Sequence, residues 1–200
     1  MKVLIACEMS GIVREAFRKL SHEAYSCDLM PSEIPSKYHI QDDVLNHLDE
    51  GWDLMIAHPP CTFLARTNHV TNTKRTNFDQ EQQEGKDFFF ELLNAGIPRI
   101  AVENPVPIKR ANMPPYTQII QPWQFGHDYS KKTCLWLKNL PKLVPTNIVE
   151  ISYITSSSGR RYTKGWYQTP RKSIPRSRTF QGIADAMAAQ WSNPITLEVF

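Results

Sequence analysis

Short apolar runs, each closing on a polar or acidic residue, recur along the first half of this chain. They are Lys2–Ala6 before Cys7 and Glu8, Ala24–Cys27 before Asp28, Leu54–Ala57 before His58, and Arg99–Val102 before Glu103. Runs this short and this apolar suit strands buried on both faces of a sheet. Helical spacing fills the intervals. Ser10 stands where a helix N-cap is expected, and Ile12 to Leu20 is amphipathic. Gln41 to Val44 opens a short helix with Asp43 as its cap, and Gln80 to Ala95 forms a longer one that Gly96 ends. The alternation predicts βαβ units and an α/β fold with a mostly parallel sheet and helices on both faces. Ligands of such sheets bind beyond the carboxyl ends of the strands. Cys7, Glu8, Asp28, Asp43, Cys61 and Glu103 all fall at that station.

After Glu103 the pattern changes. Pro105 to Pro122 is proline-rich and reads as irregular. Trp123–Phe125 and Thr133–Leu137 read as two strands of a hairpin joined by Gly126–Lys132. Asn139 to Ile151 is a connector, and Phe180 to Trp191 a helix with Ile183, Ala184, Met187 and Trp191 on one face. There is no internal repeat and no second segment with a core of its own. The expected organisation is a core over residues 1–138, a short basic substrate-binding segment over 139–178, and a helix over 179–200 that returns to the core.

The 200 residues suffice for one compact domain, and 41% hydrophobic with 22% charged residues exclude fibrous and disordered classes. No stretch is long enough to span a bilayer, and the opening MKVLIACEMSG is interrupted by Glu8 too early for a signal peptide. A cytoplasmic protein is expected, away from membranes, with its four cysteines as free thiols. Cys7, Cys27 and Cys134 read first as small apolar residues. A net charge of +3 does not by itself define a partner, but its distribution does more. Arg160, Arg161, Lys164, Arg171, Lys172, Arg176 and Arg178 crowd one segment without an acid, and Tyr162, Trp166 and Tyr167 lie among them. Cations interleaved with flat rings suit a phosphate backbone with exposed bases. A solvated loop is the alternative reading.

The sharpest chemical feature is Cys61. His58, Pro59 and Pro60 stop the strand before it, since proline does not continue a ladder, and hold the thiol on a rigid turn. Glu103, Asn104 and Pro105 end the next strand in the same manner. A thiol and a carboxylate facing one site suggest covalent catalysis on a polar ring. An inert buried thiol and a surface or capping acid are the alternatives. The loop Thr62 to Phe78, with Asn68, His69, Lys74 and Arg75, follows the cysteine directly and is a candidate lid or a plain surface loop. His58 and His69 flank Cys61 without a zinc spacing, and thiolate ligation would silence the nucleophile. Unrelated thiol chemistry would need a histidine positioned by an acid, and the sequence singles out none of the six.

In this order the motifs resemble the DNA cytosine methyltransferases that act on carbon 5 of the base, in particular the small phage- and prophage-borne members. His58–Cys61 (HPPC) resembles their Pro-Cys motif and Val102–Pro105 (VENP) their Glu-Asn motif. Ala6–Gly11 (ACEMSG) sits where they carry a glycine-rich loop, Phe125–Thr133 resembles their basic hairpin, and Ser177–Trp191 their last motif. The resemblance implies a Rossmann-like fold, S-adenosyl-L-methionine as cofactor, and DNA with a flipped cytosine as substrate. It implies Cys61 as nucleophile beside Pro60, and Glu103 as an acid whose pKa burial raises. Asn104 would orient the loop. Lys131 or Lys132 would stand where the family has an arginine, lacking its fork of donors. For the cofactor it implies Cys7, Glu8, Ser10, Gly11 and Ile12 at the methionine end, Asp28 with Leu29 at the ribose, Asp43 with Val44 at the adenine, and Pro59 nearby. Two departures stand out. Only Gly11 remains of the glycine-rich loop, and Pro141–Pro175 is too short for the usual target-recognition region. Sequence reading would then rest on the basic segment or on a second copy in a homodimer, with a short context or a substrate simpler than duplex DNA. The same chemistry on a free pyrimidine nucleotide or RNA, and a catalytically degenerate relative that binds DNA or protein, stay open.

Overall fold

The computed structural model describes residues 1–66, 75–169 and 178–192. The expected site residues His69, Lys74, Arg171 and Arg176 lie outside them, as do Asn68 and Lys172. Strands β1 (Lys2–Ala6), β2 (Glu23–Asp28), β3 (His39–Gln41), β4 (Leu54–Ala57), β5 (Arg99–Pro105), β6 (Gln118–Ile120) and β7 (Thr133–Lys138) form one seven-stranded sheet in the order β3-β2-β1-β4-β5-β7-β6. The first five strands in that order are parallel; β7 runs antiparallel to both β5 and β6. A separate two-stranded sheet pairs β8 (Tyr153–Thr155) with β9 (Arg161–Thr163). Among the described residues the α-helices are α1 (Ile12–Lys19), α2 (Phe78–Leu93), α3 (Lys164–Gln168) and α4 (Gln181–Trp191). The protein is therefore α/β, with a mostly parallel sheet and a terminal antiparallel hairpin. Among the described residues no helix is long and apolar enough to cross a membrane.

β1 and β4 are buried almost throughout, as their unbroken apolar sequences require. One face of the sheet packs Val3, Ile5, Leu54 and Ile56 against Val13 and Phe17 of α1 and Ile183, Met187 and Trp191 of α4. The other packs Leu4, Met55, Ile100 and Val102 against Phe89 and Leu92 of α2. The chain leaves β1 toward β2 on one side and β4 on the other, so a crevice opens beyond the carboxyl end of β1.

Four expectations are corrected. Gly11, not Ser10, holds the cap position of α1, with φ of 74°. A Cβ there would also come within 2.6 Å of the buried Arg14 guanidinium, so the position needs glycine. Asn94, not Gly96, caps α2, its N–H bonding the Phe90 carbonyl. The hairpin partner of β7 is β6, because Pro122 starts a 3-10 turn over Pro122–Gln124 that Gln121 and Gln124 cap reciprocally. Finally, Glu103 lies inside β5, since β7 carries the ladder on to Pro105 opposite Thr133. Asp43 caps a 3-10 turn over Val44–His47 as expected, accepting from Leu45 N–H at 3.0 Å.

Candidate active site

Strand register assembles the centre of the site. β4 and β5 pair in parallel with Leu54 opposite Arg99 and Ala57 opposite Val102. One step further brings His58 beside Glu103, and His58 Nδ1 lies 3.4 Å from Glu103 Oε2. The segments that follow are laced together. Arg66 N–H donates to the Val106 carbonyl at 3.0 Å, and Ile108 N–H to the Leu64 carbonyl at 2.9 Å. The Cys61 carbonyl closes its own turn by accepting from Leu64 and Ala65 N–H. Asn104 is buried and reaches back, its Nδ2 donating to the Pro59 carbonyl at 3.5 Å. Pro59 is buried and Pro60 exposed, leaving Cys61 half-buried on the turn.

Glu103, His58, Lys131, Thr133, Arg178 and Phe180 line one pocket, with Ile120, Ile183 and Met187 as its apolar wall. The side chains of His58 and Glu103 are only 12% and 18% exposed. Burial alone would raise the Glu103 carboxyl. The hydrogen bond to His58, the charges of Lys131 and His58, and the Thr133 hydroxyl together outweigh it and hold the carboxyl below its ordinary value. The expected raised pKa is thus reversed in the free protein. The Cys61 thiol goes the other way, pushed up by burial first and then by the Glu103 charge, with Lys131 opposing. The Cys61 thiol thus lies within reach of the Glu103 and Lys131 charges. Of the two lysines, Lys131 is half-buried in the pocket and Lys132 exposed.

Sequence reasoning passed over His58 as a partner for Glu103. The signal was available: each residue directly follows a short, largely buried run, and parallel pairing sets such positions side by side. Thr133 and Phe180 were missed because their approach to the pocket depends on the β5–β7 register and on where α4 docks. His58 Nε2 and Asn104 Oδ1 are buried without hydrogen-bond partners in the free protein. Both belong to residues flanking Glu103 or Cys61, where a polar ligand would satisfy them.

Beyond β1 lies the region expected to take a cofactor. The Cys7 thiol, in a left-handed turn at φ 57°, is pushed up to about 12 by burial and by the charges of Asp28, Cys27 and Asp43. Asp28 ends β2 and Asp43 follows β3, and the charges of both reach Cys7. Leu29, next to Asp28, is 70% exposed, and Val44 is buried beneath Asp43. Two acids and an exposed apolar side chain match the hydroxyls, amine and flat face of a nucleoside. Glu8 does not join them. It is buried, accepting on Oε1 from Val13 N–H at 2.8 Å and the Ser10 hydroxyl at 3.0 Å, and on Oε2 from Arg14 N–H at 3.3 Å. Ser10 in turn accepts from Ile12 N–H. The first turn of α1 is thus closed by the chain's own carboxylate.

The expected substrate residues separate. Arg178 sits at the pocket edge, paired with Glu33 at 2.6 Å, tying the start of the last segment to the loop after β2. Arg75 pairs with Glu81 and lies over Phe63. Arg160, Arg161 and Lys164 are exposed on the β8–β9 hairpin and α3.

No protein-family model matches this chain, and no curated protein matches it. Among solved structures 52 chains match. One, described as a DNA modification methyltransferase encoded within an E. coli prophage, is 13% identical with a TM-score of 0.48, over 75% of this chain and 52% of that one. Another, a methyltransferase of Entamoeba histolytica, is 11% identical with a TM-score of 0.43, over 76% of this chain and 58% of that one. The chain thus spans a little over half the length of each.

Proposed function

We propose that this protein is an S-adenosyl-L-methionine-dependent methyltransferase acting on carbon 5 of cytosine in DNA, with Cys61 as nucleophile and Glu103 as general acid. The observation that carries the reading is Glu103 held against His58 in a pocket that Lys131 also lines, with the Cys61 thiol on the turn three residues beyond His58 and under the influence of the Glu103 charge. The α/β architecture and the order of motifs support it. So does the donor set around Cys7, which fits the nucleoside part of the cofactor. When bound, that cofactor supplies an electrophilic methyl group.

Cytosine's carbon 5 is too weak a nucleophile unaided. Addition of the Cys61 sulfur to carbon 6, with a proton or hydrogen bond given to N3 by Glu103, moves electron density onto carbon 5. Carbon 5 would take the methyl group as its bond to the sulfonium sulfur breaks, leaving the demethylated cofactor as a neutral thioether; loss of the carbon-5 proton to solvent, return of the N3 proton to Glu103 and cleavage of the C6–S bond then restore the ring and the enzyme. The free site starts one proton away from this arrangement: sulfur holds the proton and the carboxyl the charge. Moving that proton from Sγ to Glu103 gives thiolate and acid together, with no change in net charge. His58 steadies the carboxyl during the exchange, and Lys131 faces the base.

The test is transfer of a tritiated methyl group to DNA, alongside trapping on DNA containing 5-fluorocytosine, where the final proton cannot leave. The parent chain should label DNA and form a covalent adduct at Cys61. Absence of both across single strands and duplexes, with cofactor bound, would sink the proposal.

A further inference from the structure

The second sheet has no place in the chemistry just described, and its composition is unlike the rest of the surface. Between Ile151 and Thr169 there is no acid, while Arg160, Arg161 and Lys164 are all exposed. The flat side chains are ordered among them. Tyr162 stacks on Trp166, centroids 4.9 Å apart and planes within 8°. Tyr167 leans on the same Tyr162 ring at 5.9 Å, and the Arg161 guanidinium lies 3.9 Å over Tyr153. Tyr153 and Tyr167 remain 48% and 49% exposed. Half-exposed rings set beside cations offer flat faces to a partner, and the cations select an anionic one with flat groups of its own.

The unit is fixed against the active-site loop. Ser152 N–H donates to Asp128 Oδ1 at 2.8 Å. A Cβ on Gly165 would fall 2.4 Å from the Asp128 carbonyl oxygen, so α3 approaches that loop as only glycine allows. Tyr129 continues the contact, tilted against Phe180 of the pocket at 4.9 Å, and Lys131 follows two residues later.

We infer that β8–β9 with α3 is a stacking platform for unpaired DNA, laid beside the pocket lined by Glu103, His58 and Lys131, and that the preferred substrate is a single-stranded or locally melted segment. The inference deepens the proposed function and takes DNA as the polymer from it. Aromatic faces grip any exposed base, but paired bases present only edges, so such a surface favours unpaired strands with little sequence preference. An already unpaired target avoids the cost of extrusion.

The experiment measures fluorescence anisotropy of a labelled 20-nucleotide mixed-sequence DNA, single-stranded and as duplex, with the full chain. The single strand should bind on the order of tenfold more tightly or better. The double variant Tyr153→Ala/Tyr167→Ala should weaken single-strand binding by roughly tenfold and leave duplex binding unchanged. Tyr153→Phe/Tyr167→Phe should restore it, which separates lost stacking from a disturbed hairpin. Arg160→Ala/Arg161→Ala should flatten the salt dependence. Equal or tighter duplex binding, or an aromatic double variant that binds like the parent, overturns the platform. Methyl transfer and adduct formation are scored separately: a platform that fails while they persist falls alone. Single-strand binding that persists without either leaves the platform standing and removes the methyltransferase reading.

Discussion

Glu8 follows β1 and Glu103 lies in the last part of β5, on either side of β4, and the fold uses them differently. Glu8 accepts hydrogen bonds from a backbone turn and a neighbouring hydroxyl, all within six residues of itself. Glu103 meets groups from elsewhere in the chain: His58 after β4, Lys131 before β7 and Thr133 at its start. An acid engaged by its own local backbone is closing a helix. An acid surrounded by titratable side chains at a pocket is available for proton chemistry. Position relative to the sheet does not distinguish the two; the origin of the partners does.

The comparison breaks most directly at the sulfur. Cys61→Ala should abolish methyl transfer and adduct formation while leaving cofactor binding, measured by calorimetry, at the parent value. Glu103→Gln comes next, with kcat expected to fall about 10²- to 10⁴-fold, the range for loss of a general acid. Glu8→Ala should give the opposite pattern. It leaves Val13 and Arg14 N–H without their acceptor, costing about 1–3 kcal/mol of stability, while kcat per folded molecule stays near the parent value. A Glu8→Ala protein that keeps its melting temperature and loses turnover would reverse the assignment of the two acids.

A smaller effect tests whether thiol and carboxyl really share a field. The charge of Glu103 contributes to holding the Cys61 thiol above its ordinary value of 9.0, and Lys131 opposes it. Glu103→Gln should therefore lower the thiol's pKa and speed its alkylation at mildly alkaline pH, whereas Lys131→Met should slow it. Site-resolved mass spectrometry isolates Cys61, since Cys27 and Cys134 are fully buried and Cys7 is pushed up to about 12. Identical rates in all three proteins would separate the sulfur from the carboxyl.

The sheet was legible because buried parallel strands write themselves as apolar runs, and β1, β2, β4 and the start of β5 stand nearly where those runs stand. The register was not. His58 beside Glu103 follows from pairing Ala57 with Val102, a tertiary fact that neither segment carries alone. The hairpin failed for a local reason: Trp123 and Phe125 are apolar enough for a strand, but Pro122 and the Gln121–Gln124 cap turn that segment into a 3-10 turn. β8 and β9 were hidden by length, since three-residue strands rich in arginine and tyrosine show little alternation. The direction of the Glu103 shift was misjudged because burial was visible as a tendency of the sequence, while the countering groups lie up to 45 residues away.

The smallest effect lies in the pH dependence of stability. Glu103 is held below its ordinary value of 4.5 in the folded state, so the folded protein releases this proton more readily than the unfolded chain. The contribution is fully present above 4.5 and disappears as pH falls through the lower folded value. Denaturant titrations across that acid range should show the parent losing stability more steeply than Glu103→Gln, which has no proton to take up there. His58→Asn should lie between them, because Lys131 and Thr133 still favour the charged carboxyl after the histidine is gone. Glu8→Ala, compared over the same range, should leave the difference between parent and Glu103→Gln intact, since its carboxylate meets the α1 backbone and not the pocket. If the parent and Glu103→Gln curves run parallel through the acid limb, the carboxyl is not held ionised by its neighbours, and the proton the thiol gives up on activation has to come to rest somewhere else.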